Sequence, residues 1–286
     1  MLTVLVSGLA FGALLAAAAL VYNVMFSTSK VLGVTTGQTA MLGGVFGAWF
    51  MTRLHFPVIG ALLGSVIVGA VFGLLTDLIA VRRVLSRSDE HLWLLSTLAL
   101  ATITQQAVAL WWGTEPLPFP RIIHQDFGAG LLDQKYWLPV VTALALAAAL
   151  ELFYRRTLYG KLFLAMSEDA FAARARGIPT DRIRALSYVI AGAMGGLAGF
   201  MAGQLTFAYF AVGITLSLNG FIALAVGGLG SNAGALVGGA ALGILSAGAS
   251  YFIGGEYQNT IAVGVLMLVL LVKPAGLFGA QVARPV

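Results

Sequence analysis

PVIGALLGSVIVGAVFGLLTDLIA, residues 57–80, carries a single charged side chain, Asp77, and it ends where the arginine-rich VRRVLSRSDE, 81–90, begins. A helix of about 20 apolar residues spans the hydrocarbon core of a bilayer and satisfies every backbone polar group within itself. Runs of the same kind recur along the chain at 4–25, 37–52, 91–112, 137–154, 183–203, 210–229, 233–253 and 258–273, divided by short polar breaks. No alternating segments of about 10 residues, the mark of a transmembrane barrel, interrupt them. The fold is therefore predicted to be all-α: one polytopic membrane domain over 1–286 with about eight to nine transmembrane or re-entrant helices. The first run has no basic leader and no small-residue cleavage site, and reads as a retained helix.

Composition points the same way. The chain is 59% hydrophobic and 9% charged, with a mean hydropathy of +0.95, too few charges to cover a soluble body of 286 residues. Its 36 glycines suit close helix packing in lipid, where small residues let backbones meet. There is no cysteine, which excludes thiolate metal sites and iron–sulfur clusters. His55, His91 and His124 are scattered, with no metal-ligand spacing. No P-loop, GxSxG or HExxH occurs, so no catalytic residue and no metal site is assigned. The net charge of +5 reports loop orientation and gives no reason to expect nucleic acid. The span centres are almost free of charge, which argues against proton or sodium coupling. Asp77 and Glu151 sit near span ends, where pairing with Arg82 or Arg155 is expected.

Basic loops set the topology. Segment 81–90 has Arg82, Arg83 and Arg87, and segment 154–184 has Arg155, Arg156, Lys161, Arg174, Arg176, Arg182 and Arg184. The positive-inside rule puts both in the cytoplasm, along with Lys273 and Arg284. Segment 113–136, where Glu115, Asp126 and Asp133 face Arg121 and Lys135, falls outside with the N-terminus. Its prolines 116, 118 and 120 make it irregular. Two stretches combine polar breaks with glycine: VLGVTTGQTAMLGG, 31–44, and SLNGFIALAVGGLGSNAGALVGG, 217–239. Broken helices in corresponding places are where transporters put their solute path, so Thr36, Gly37, Gln38, Thr39, Asn219 and Gly220 are candidates for it.

One stretch breaks the economy of charge. MSEDAFAARARGIPTDRIRAL, 166–186, gathers three acids and four arginines. Ser167 is placed to cap a short helix with Glu168 and Asp169 in its first turn. Gly177 stops that helix, Pro179 follows, and Thr180 with Asp181 starts the next. Leu164, Phe171, Ala175 and Ile178 fall on one side, and Arg174 and Arg176 point elsewhere. Such a helix suits two surfaces equally, lipid headgroups or a groove on a soluble protein.

The same residues resemble the cytoplasmic coupling loop of ABC-importer permeases, whose E-x-x-A-x-x-x-G-like pattern meets the ATPase. GKLFLAMSEDAFAARARGIPTDRIRALSYVIAGAMGGLAG, 160–199, is similar to the branched-chain amino acid permease family in particular. So are 76–106, the GG-x-G spacing of 223–243 and the terminal LVKPAGLFG, 271–279. The resemblance implies coupling through Glu168, Asp169, Phe171, Ala172, Arg174 and Gly177, within a cytoplasmic loop of about 155–183. It implies a second permease subunit (a different, related chain), two cytoplasmic ATPases that hold ATP and Mg, and an extracytoplasmic solute-binding protein. The chain itself would hold no cofactor and would sit in lipid as a multi-pass protein of the inner membrane. VTTGQT stands where many members have INFAHG, with only Gly37 matching well, and the Gly37-Gln38-x-Ala40 pattern resembles the sister permease. The family also serves urea, short amides and aromatic carboxylates, and a secondary carrier or channel is the rival reading.

Overall fold

The computed structural model describes residues 2–85, 92–120, 133–206 and 208–279. Arg87, His91, Arg121, His124, Asp126 and Arg284, on which part of the predicted topology rests, lie outside the described residues. The long helices are α1 (Leu2–Ser29), α2 (Thr36–Thr52), α3 (Val58–Leu75), α5 (Leu92–Trp112), α6 (Gln134–Arg156), α9 (Thr180–Thr206), α10 (Val212–Gly227), α11 (Asn232–Phe252) and α12 (Gln258–Val272). α3 runs through a π-helical segment, Thr76–Val81, into the short α4 (Arg82–Leu85). Two further short helices, α7 (Leu158–Glu168) and α8 (Ala170–Ala175), fill the charged insert. Each predicted run is a helix, with ends that mostly differ by a few residues. Among the described residues seven helices are long and apolar enough to cross a membrane, and α10 is a shorter apolar one. The only pairing of strand type described is an isolated bridge between Leu117 and Ala208.

α1 is the axis of the bundle. Residues such as Leu15, Ala19, Leu20, Val24 and Met25 are wholly buried on it, and it packs against α6, α9, α10 and α11. α3 and α9 touch backbone to backbone. A Cβ on Gly69 would run into the Gly192 carbonyl, one on Gly192 into the Gly69 carbonyl, and one on Gly73 into the Tyr188 carbonyl. In lipid, where no hydrophobic force pushes helices together, such close approach supplies dispersion contact instead. Gly43 on α2 meets Gly196 in the same way, so α2, α3 and α9 form one tightly seamed layer. Aromatic rings gather at the end of that layer distant from the arginine-rich loops, beside Arg53. Trp49 and Trp112 lie 6.3 Å apart, and Phe50 stacks on Phe56, as expected at a membrane–water boundary.

Two helices start inside the bundle. α9 is 27 residues, or about 40 Å, long, and Gly195 is near its middle. Thr39 in the first turn of α2 lies against Gly195, so α2 begins at mid-depth. After α9 the chain turns back inward. Ala208 bonds to Leu117 and lies against Gly44, and α10 starts beside α2. Val34 meets Ser217 and Gly37 meets Gly213, so the two N-termini overlap by about a turn and the helices leave in opposite directions. This corrects one expectation. Asn219 and Gly220 are within α10, and the break falls earlier, between α9 and α10.

Candidate functional site

The charged insert is built from caps. Thr157 accepts a hydrogen bond from the Gly160 N–H at 2.9 Å and starts α7. The cap of α8 is Asp169, not Ser167 as predicted. Its carboxylate accepts from the N–H groups of Phe171 (2.8 Å) and Ala172 (3.0 Å), while the Ser167 hydroxyl donates to the Leu164 carbonyl inside α7. The helix ends in a Schellman turn. The Ile178 N–H reaches the Ala173 carbonyl and the Gly177 N–H the Arg174 carbonyl, with Gly177 at φ +83.

The break at Glu168–Asp169 also scatters the predicted apolar edge. Leu164 belongs to α7, Ile178 is half-buried, and Phe171 is 84% exposed. The residue that seats α8 on the body is Ala173, 4% exposed. Arg174 does not stand clear. Its Nε and Nη2 donate to the Thr180 hydroxyl at 3.0 and 2.8 Å, and it pairs with Asp181 at 3.6 Å. Glu168, Asp169, Phe171 and Ala172 remain as an exposed knob whose apolar tip nothing in this chain covers among the described residues.

The two glycine-rich polar stretches do come together. The Gly37 N–H donates to the Ser217 hydroxyl at 2.9 Å, and that hydroxyl donates to the Val34 carbonyl at 2.5 Å. Thr36 donates to the Gly33 carbonyl and Thr39 to the Thr36 carbonyl. Gln38 is wholly buried against Gly213, and no group among the described residues pairs with its amide. Ser217 was not singled out in the sequence, yet it joins the two helix starts. Ser217→Ala leaves the buried Gly37 N–H without an acceptor, and should lower stability by about 1–3 kcal/mol, read as a drop in thermal midpoint of the purified protein.

A cavity opens at each end of α10. The one at the end distant from the arginine-rich loops holds about 630 Å³ and has uncharged walls, half apolar (Phe11, Leu216) and half polar (Ser7, Asn219, Gln258, Asn259). Asn219 donates to the Asn259 amide oxygen at 3.4 Å. The other, at the basic end, holds about 1120 Å³ and includes Asn23, Lys30, Glu151, Arg155, Ser167 and Asn232. Lys30 donates to the Ser167 carbonyl at 2.7 Å, and partial burial lowers the pKa of its ammonium. Glu151 pairs with Arg155 at 2.6 Å as predicted. Between the cavities α1 and α10 close shoulder to shoulder. Gly220 lies against Ala18, and the Tyr22 and Phe221 rings meet edge to face at 6.4 Å. Of the predicted path residues, Asn219 lines a cavity, whereas Thr36, Gly37, Gln38 and Thr39 are enclosed beside it. Gln258 and Asn259 escaped notice because two amides at the start of an apolar run read as ordinary helix-end polarity.

Comparison with known proteins fits this arrangement. The chain is 28% identical to the high-affinity branched-chain amino acid transport system permease protein LivH of Escherichia coli (strain K12), over 96% of this chain and 94% of that one. It is 27% identical to the corresponding protein BraD of Pseudomonas aeruginosa, again over 96% and 94%. The L-arabinose ABC transporter permease protein AraH of Azospirillum brasilense is 24% identical over 83% of this chain and 70% of its own. The family model described as branched-chain amino acid transport system, permease component, matches residues 4–271. With that match running through nearly every helix described above, the chain belongs to this family of transport permeases.

Proposed function

We propose that the protein is the membrane-spanning subunit of an ABC importer of the inner membrane and that it carries branched-chain amino acids inward by alternating access. The observation that carries this reading is the pair of separate cavities at the two ends of α10, closed from each other by the α1–α10 contact. The positive-inside rule assigns the arginine-rich end to the cytoplasm and the uncharged cavity to the outside. A binding protein then delivers solute to the outer cavity. Hydroxyls and amides there suit a zwitterion that must pass without tight binding, and a fixed charge would hold it. Two cytoplasmic ATPases, which bind ATP and Mg, seat the α8 knob with Glu168, Asp169, Phe171 and Ala172 at the contact. Arg174 and Gly177 hold that knob in shape. A second, related permease completes the path.

The AraH relative, named for a sugar, supports placing solute choice largely outside this chain, on the binding protein. The test is reconstitution of the full complex in proteoliposomes with radiolabelled leucine inside reach of the binding protein. Uptake is expected only with ATP and all partners. Leucine uptake by the chain alone would establish a carrier instead. Competition by urea, a short amide or benzoate but not by isoleucine would keep the importer and change the solute.

A further inference from the structure

We propose that the buried pair Asp77–Arg184 is the joint through which movement of α8 enters the transmembrane core, an inference that rests on α8 being the contact with an ATPase. The sequence pointed to Arg82 as the partner of Asp77. The structure instead joins Asp77 to a residue 107 positions away, with Arg184 Nε donating to Asp77 Oδ1 at 2.7 Å. Asp77 is wholly buried and Arg184 is 8% exposed. The π-helical segment explains how the carboxylate gets there. The Arg82 N–H reaches back to the Asp77 carbonyl, one residue further than an α-helix allows, and the widened turn carries Asp77 on the buried side. Single-turn π segments of this kind tend to mark functional positions in helices.

Arg184 sits at a crossing of bonds. Its Nη1 donates to Asp181 Oδ1 at 3.0 Å, and that same oxygen faces Arg174 of α8 at 3.6 Å. A continuous polar chain thus runs from α8 through Thr180 and Asp181 to Arg184 and on to α3. One turn later Ser187 meets the Thr28 hydroxyl at 2.5 Å, and Tyr188 meets the Ser29 hydroxyl at 3.1 Å, which fastens α9 to α1. The first two turns of α9 therefore hold α8, α3 and α1 together. Beyond them the glycine seam ties α9 to α2 and α3 as one layer, and α2 begins against α10. A push on α8 has a stiff route to the contact that separates the two cavities.

The pair is also placed to be specific rather than merely adhesive. Nη2 of Arg184 and Oδ2 of Asp77 are buried with no partner among the described residues, so the pair is held by one hydrogen bond and not by a two-pronged fork. A buried ion pair adds little net stability compared with apolar residues of the same size, although losing one partner leaves an uncompensated charge. That asymmetry makes the role measurable.

The experiment uses the reconstituted complex and reads leucine taken up per ATP hydrolysed. The double variant Asp77→Leu/Arg184→Met removes both charges together and is expected to assemble, retain its ATPases and hydrolyse ATP within about twofold of wild type, with uptake per ATP reduced about tenfold. A wild-type ratio in a complex that has assembled overturns the inference. If the double variant does not assemble, Asp181→Ala removes the acceptor shared by Arg184 and Arg174 and cuts the chain at its exposed link. It should lower the ratio about threefold, and an unchanged ratio is again the contrary result. Failure of the wild-type chain to retain any ATPase would count against the importer reading itself, and is seen before any variant is made.

Discussion

Gly192→Ala is expected to destabilise the protein by about 3 kcal/mol, among the largest effects of adding a single methyl group. The Cβ would meet the Gly69 carbonyl oxygen, which is backbone and cannot turn aside as a flexible side chain would. α3 and α9 would have to separate, and the neighbouring contacts of Gly69, Gly73 and Gly196 would loosen with them because all share the seam. The cost is then spread over several lost contacts, with no hydrophobic gain in lipid to offset it. Gly264→Ala is the control. Nothing among the described residues lies within 4 Å of a Cβ there, so the change should be neutral or stabilising by up to about 1 kcal/mol. Thermal midpoints of the two variants in detergent decide the matter, and equal midpoints would show that the seam does not hold the bundle together.

The second large effect is functional. Phe171→Ala should reduce ATP-driven uptake by about 100-fold, as loss of a central aromatic anchor does at an interface. Its thermal midpoint should not change, because the ring is 84% exposed and supports nothing in this chain. Ala173, two residues on, is the opposite case: buried under α8, it tolerates no larger side chain without lifting the helix. A Phe171→Ala protein that still takes up leucine at the wild-type rate would remove α8 from the coupling contact.

The spans were legible because lipid imposes one rule on every backbone group, and the sequence obeys it run by run. The charged insert was legible too, down to Gly177 as its stop, since a positive φ and a Schellman turn leave a local signature. Its start was misassigned for an equally local reason. Ser167 and Asp169 are both good caps, and the choice depends on the extended backbone at Asp169 (φ −151), which no spacing reveals. The partner of Asp77 lay beyond any local reading, because Arg184 reaches it only after α9 has folded against α3. The gap before α10 is legible between the runs 183–203 and 210–229, but the sequence pattern puts the mid-depth break at Asn219 and Gly220 instead. The chain turns back near Tyr209 and Phe210, with no glycine or proline to mark it, while in 217–239 Gly228 and Gly230 make the turn after α10 and other glycines serve contacts. Gly220 faces Ala18, and Gly227 faces Gly234.

The meeting of α2 and α10 at mid-depth has an electrical consequence. The N-terminus of a helix carries roughly half an elementary positive charge, and here two of them lie side by side where water is scarce. Positive ends of half-length helices raise the barrier to protons and metal cations while leaving neutral and zwitterionic solutes little affected. The paired helix starts between Thr36 and Ser217 therefore set a positive potential beside the polar interior, one that disfavours a cation far more than a zwitterion.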